Sequence, residues 1–150
     1  MAAAPPTSRS THRLRLLIVL ILVILTIQGW FGDTTNLFVI PSNGFPVSGS
    51  AMNAFFSAIT SHGFILQWHA FEGILIFLLS FVVLAFSFVW SRKRSVRICA
   101  ILATIMVISA SLGGFLFVLS GFSNGGNSAQ MGGSFIGSYA FYFMELYFTK

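Results

Sequence analysis

The chain has 150 residues, of which 56% are hydrophobic and 7% charged, and its mean hydropathy is +0.89. That composition lies outside the range of ordinary soluble domains and excludes a water-soluble globular protein. The formal charge of +5 sits at the ends of apolar runs rather than on one continuous face, which argues against nucleic acid as a partner.

The eight Lys and Arg residues fall in three patches: Arg9, Arg13 and Arg15; Arg92, Lys93, Arg94 and Arg97; and Lys150. Two pairs of hydrophobic stretches lie between them, and the connector within each pair has no basic residue. Basic patches mark the cytoplasmic side of a membrane. The expected fold is therefore all-α: a polytopic integral membrane protein of the cell membrane, a four-helix transmembrane bundle with both termini cytoplasmic. Residues 1–12, rich in Ala, Pro, Ser and Thr, are expected to form a disordered cytoplasmic tail. Residues 13–150 then form a single four-helix transmembrane domain.

Span one is expected from about Leu14 to Phe31, with a core of nearly pure Leu, Ile and Val. It ends in Gln28, Gly29, Trp30 and Phe31 rather than a small-x-small cleavage site, so it is expected to be an uncleaved signal anchor. The first outer connector, Gly32 to Gly63, is broken by Pro41, Gly44, Pro46 and Gly49. After Ser48 and Ser50, Met52, Phe55, Phe56 and Ile59 repeat at i, i+3, i+4 and i+7. That period predicts an amphipathic helix of about ten residues lying in the outer interface.

Span two is expected from about Phe64 to Trp90. At 100° per residue, His62, His69, Glu72, Gly73, Ser80, Ser87 and Ser91 fall on one side, within about 60° of His69. Polar groups facing lipid are unfavourable by a few kcal/mol each, so this stripe must face protein or a water-filled cavity. Span three, about Ile98 to Gly121, carries Cys99, Met106, Ser109, Ala110, Gly113 and Ser120 on one side. Small residues let helices approach closely, and Gly113 is expected to meet span two near Glu72, about 12 Å below the outer boundary. A turn-rich connector, Phe122 to Gln130, leads to span four, about Met131 to Phe148. Met131, Ser134, Ser138, Tyr142, Glu145 and Thr149 share a face there, beside the helix-packing pair Gly133 and Gly137. Glu145 is expected near the inner boundary, meeting Lys150 or the basic loop.

Glu72 is the strongest single hint of chemistry, because an acid this deep in hydrocarbon is unfavourable by about 2.5 to 3.5 kcal/mol. Its structural role is a neutral acid hydrogen-bonded to a neighbouring span; its functional role is proton handling or cofactor contact. His69 lies one turn away, and an imidazole with a carboxylate beside it has the orientation of a haem ligand with its supporting group. Gly73 would leave room for a porphyrin edge, and Met131 is the candidate opposing ligand for a haem b. His69 and Gly73, as H-x-x-x-G in the outer half of a span, resemble small four-helix b-type cytochromes. Those families usually present two histidines on different helices, a feature this chain lacks. No H-E-x-x-H, nucleophile elbow, phosphate loop or paired acidic metal site occurs, so an enzyme is not expected. One cysteine and three scattered histidines supply no structural zinc set.

Two functions remain. The first is a small accessory or scaffolding membrane protein whose Gly faces and polar stripes pack in a homo-oligomer or larger membrane complex. The second is an electron-transfer protein binding b-type haem or quinone at His69 and Glu72. A transporter would need a continuous polar path, to which span one contributes nothing between Leu16 and Leu25.

Overall fold

The computed structural model describes residues 8–38, 50–61 and 63–150, and every regular element among them is an α-helix. The helices are α1 (Ser8–Phe38), α2 (Ala51–Ser61), α3 (Phe64–Trp90), α4 (Arg94–Leu119) and α5 (Gly125–Phe148). Three of them, α1, α3 and α4, are long and apolar enough to cross a membrane, and α5 is less apolar. Around the bundle α1 neighbours α3 and α5, and α4 neighbours α3 and α5, so the four long helices close a ring. The short α2 lies across α4 and α3 at the end that carries the α1–α2 and α4–α5 connectors.

Local chemistry accounts for the ends of the elements. Gly63, with φ of 90°, precedes α3 in a conformation that favours glycine. At the end of α4, the Phe122 N–H bonds to the Phe117 carbonyl at 2.9 Å and the Gly121 N–H to the Val118 carbonyl at 3.0 Å. This is a Schellman closure, with Gly121 at φ 63° and Phe122 at φ 62°. Phe122 takes that unfavourable backbone because its buried ring packs edge-on against Phe117, with centroids 5.5 Å apart. Asn124 then caps α5, its side chain accepting from the Gly126 and Asn127 amides at 3.0 and 3.4 Å.

Basic side chains close the opposite end. Lys93 Nζ donates to the Phe148 carbonyl at 3.1 Å and to the Lys150 main-chain oxygen, while Arg97 reaches the Ser91 and Phe88 carbonyls at 2.9 and 3.1 Å. Cations at helix C-termini satisfy orphan carbonyls and complement the helix dipole. The same contacts place the α3–α4 turn beside the end of α5. Further in, Leu14, Ile18, Ile21, Leu22 and Leu25 give α1 a buried aliphatic face that packs with Ile76, Val83, Val107 and Tyr142.

Several boundaries differ from the expected ones. Helix α1 begins at Ser8, within the segment expected as tail, and runs seven residues past Phe31. Thr34 and Thr35 return their hydroxyls to the carbonyls four residues back at 2.8 Å each, so the polar run continues the helix. Helix α5 starts at Gly125, within the expected second connector, because Asn124 nucleates it. The α2 segment agrees with the apolar period at Met52, Phe55, Phe56 and Ile59.

Candidate functional site

The polar stripes expected on α3 and α5 turn inward. Glu72, Ser80, Ser87 and Ser91 of α3 and Ser138, Tyr142, Glu145 and Thr149 of α5 are all buried. They separate into two places along the bundle. One is a cavity in the half nearest α2, and the other is a buried polar core in the basic half.

The cavity has a volume of about 680 Å³ and is walled by α1, α3, α4 and α5, with Phe55 and Ile59 of α2 closing over it. Its walls are mainly Leu, Ile, Val, Phe and Gly, and no Lys or Arg lines it. Small residues create the space and also pin the helices around it. A side-chain carbon added at Gly32 would lie 3.1 Å from the His69 ring, and one at Gly29 would lie 3.0 Å from the Phe135 ring. His69 therefore nests against α1 at Gly32, while Phe135 of α5 nests against Gly29.

His69, Gly73 and Met131 all line this cavity, as does Gln28. Gln28 Nε2 donates to the His69 carbonyl at 3.1 Å, joining α1 to α3, and the His69 imidazole in turn meets the Gln28 main-chain carbonyl. Gln28 Oε1 and His69 Nδ1 are buried with no hydrogen bond of standard geometry. An imidazole in this apolar setting is neutral and has one N–H, which only the carbonyl can accept, leaving the other ring nitrogen as a lone-pair acceptor. The cavity is thus mainly apolar, with Asp33, Thr35, Ser111, Ser128 and Ser138 as further polar residues on its wall, and beside it Gln28 Oε1 and His69 Nδ1 are acceptors without donors. Buried polar groups are nearly always paired, so a group supplying O–H or N–H would be favourable next to these two atoms.

Glu72 does not line the cavity. Its carboxylate sits beside the Trp68 indole N–H one turn earlier, and its Oε2 is buried without a partner. Beside Gly73 stands Gln28, whose Nε2 would lie 3.4 Å from an added side-chain carbon. The Met131 sulfur rests against Gly114 of α4, 3.2 Å from such a carbon, whereas the His69 ring rests on α1. The two proposed haem ligands thus pack on different helices, and haem propionates would find no Lys or Arg on the cavity wall. Among the described residues no group of three or more His, Cys, Asp or Glu could hold a metal. His12 is exposed near the start of α1, and His62 lies outside the described residues.

The glycines expected to pack helices divide as well. Gly113 meets α5 rather than α3: an added carbon would lie 2.9 Å from the Met131 amide nitrogen and 3.1 Å from the Asn127 carbonyl oxygen. Helical periodicity identified the face but could not choose between two neighbouring helices. A side-chain carbon added at Gly137 would lie 3.1 Å from the Met106 sulfur, and one at Gly133 would meet nothing within 4 Å. Beside these, Ser134 Oγ donates to Ser109 Oγ at 2.9 Å, a polar bond between α5 and α4.

Glu145 also departs from expectation, since it meets neither Lys150 nor the basic loop. It is 0% exposed, with Oε1 on Ser87 of α3 at 2.5 Å and Oε2 without a partner. Lys93 and Arg97 instead hold the carbonyls at the ends of α5 and α3.

Gln28 was the functional residue hardest to single out beforehand. Its signal is an amide and two glycines, Gly29 and Gly32, closing an otherwise aliphatic span. No family model matches the chain, and no match is found among curated proteins or among solved structures.

Proposed function

We propose that this chain is a four-span integral membrane protein, with both termini on the cytoplasmic side, that holds a lipid-soluble ligand of the quinol class in its outer-half cavity. The observation that carries the reading is the pair of unpartnered acceptors, on Gln28 and His69, beside a mainly apolar chamber of about 680 Å³. Ligand sites of this size are mostly apolar with a few convergent polar groups, and they occur between the helices of bundles. A hydroxylated ring supplies the donors that Gln28 Oε1 and the His69 nitrogen lack, and an isoprenoid or alkyl tail fills the remaining volume. A quinone, which brings only acceptors, leaves both unpaired and should bind more weakly.

Membrane insertion of α5 as the fourth span is supported by its length of 24 residues, about 36 Å at 1.5 Å per residue, against a hydrocarbon core about 30 Å thick. The all-basic ends of the helices support the orientation. Placed this way, α2 lies in the outer interface with Phe55 and Ile59 as a cover for the cavity. In this reading the role is that of an accessory protein that stores or presents the ligand.

The test is equilibrium binding of decyl-ubiquinol and decyl-ubiquinone to the purified protein in nanodiscs. Saturable binding with preference for the quinol is expected, weakened by His69→Phe and abolished by Ala110→Phe, which fills the cavity. Equal binding of the two forms, or binding unaffected by Ala110→Phe, would refute it.

A second reading, a scaffold for another membrane chain or a second copy, is favoured by the open side of α5. At Gly133, which is exposed, a side-chain carbon would meet nothing within 4 Å, and small exposed residues let a partner helix approach. A cysteine at Gly133, in a Cys99→Ala background, should cross-link to a partner helix in native membranes if that face is occupied.

A further inference from the structure

The polar core of the basic half lies apart from the cavity lining except at one residue. On α5, Ser138, Tyr142, Glu145 and Thr149 follow one another at spacings of four, three and four, and all are buried. Ser138 lines the cavity. Tyr142 lies beside the hydroxyls of Ser80 on α3 and Thr104 on α4, and its own hydroxyl makes no hydrogen bond of standard geometry. Glu145, one turn on, is enclosed by protein. The groups that face it are Ser87 from α3, the Cys99 thiol from α4 and Tyr142 from its own helix. Helix α1 turns only Leu and Ile to the core, and no Lys, Arg or His pairs with Glu145.

Counting hydrogens at Ser87 decides the state of this acid. The Ser87 hydroxyl lies 2.7 Å from the Val83 carbonyl and 2.5 Å from Glu145 Oε1. It has one hydrogen to share between them. An ionised Glu145 would be a second acceptor beside the Val83 carbonyl, and one hydrogen would leave one of the two close contacts unbonded; with that hydrogen on Val83, both contacts are hydrogen bonds only if Glu145 is a carboxylic acid. The bond between Ser87 and Glu145 then needs a hydrogen from Glu145, which a carboxylate does not have and a carboxylic acid does. Burial without a counter-cation favours the same state, since an unpaired buried charge would be unfavourable by several kcal/mol.

We propose that Glu145 is a proton-binding site: an uncharged carboxylic acid that donates to Ser87 and holds its proton inside the bundle. Occupation of the cavity by a ligand plays no part in it.

Infrared spectra of the full chain in nanodiscs test this directly. The wild-type minus Glu145→Gln difference should show the carbonyl band of a protonated carboxylic acid, and the band should shift down on transfer to D2O. Carboxylate bands in its place would overturn the assignment. Glu145→Gln keeps a donor for Ser87 in its amide, so its helical circular dichroism should match wild type, and the wild-type spectrum carries the test even if that variant unfolds.

Discussion

Replacing Gly113 and Gly133 by alanine, one at a time, probes how the bundle is held together. Both glycines lie inside helices, so both substitutions gain about the same helix propensity, up to roughly 1 kcal/mol. Subtracting one from the other leaves the contact alone. At Gly113 the new methyl would stand 2.9, 3.1 and 3.2 Å from the Met131 nitrogen, the Asn127 oxygen and the Met131 Cα, all of them backbone atoms. A side chain could rotate away; a helix backbone cannot. The α4–α5 pair must open by several tenths of an ångström, and a gap of that order forfeits a quarter or more of the dispersion energy of the lining contacts. Overpacking of this kind destabilises by about 1–3 kcal/mol, which is about a 5- to 150-fold change in the folding equilibrium at 1.4 kcal/mol per decade. At Gly133 nothing lies within 4 Å, so alanine there should be neutral or stabilising in the monomer. Reversible unfolding in mixed micelles of rising SDS content, followed by helical circular dichroism, gives both values. Two alanine variants alike within about 0.5 kcal/mol would refute the close α4–α5 apposition.

Asn124→Ala removes the cap of α5 and should destabilise by about 0.5–2 kcal/mol in the same assay. Gln28→Leu breaks the bond to the His69 carbonyl and removes an acceptor from the cavity; a loss of about 1 kcal/mol in stability, together with weaker decyl-ubiquinol binding, is expected. Lys93→Met releases the α5 carbonyls and should destabilise by about 0.3–1 kcal/mol, with the difference shrinking at high salt if the helix-dipole interaction dominates. Single cysteines at Thr11, Arg92 and Ser123 in a Cys99→Ala background should react with a membrane-impermeant maleimide from two sides of the vesicle. Thr11 and Arg92 are expected together and Ser123 opposite; any other grouping removes the proposed topology.

The inward faces of α3 and α5 were legible in the sequence because hydrocarbon makes every polar side chain choose protein over lipid. Residues 64–90 matched α3 at both ends for the same reason, with Gly63 and Ser91 bounding an unbroken apolar run. Partners were less legible. Gly113 shows a small face, but only the three-dimensional order of helices makes α5 its neighbour. Glu145 was expected to meet a cation because it lies five residues from Lys150 in sequence. In the structure Lys93 and Arg97 are drawn to the carbonyls of helix ends, and the acid finds a serine on α3 instead. The extension of α1 to Phe38 was hidden by Gly32, Asp33, Thr34 and Thr35, residues that often end helices but here continue one through threonine bonds to the preceding turn. Gln28 was visible as a residue and not as a site, since its meaning depends on His69, which is 41 residues away along the chain and one hydrogen bond away in space.

Mass spectrometry of the intact protein released from nanodiscs of native membrane tests the ligand cavity most directly. The account predicts that the wild-type chain leaves the membrane with one lipophilic molecule of quinol type attached, and that Ala110→Phe leaves bare. A wild-type chain that emerges bare, or a mass increment that persists in Ala110→Phe, would contradict it.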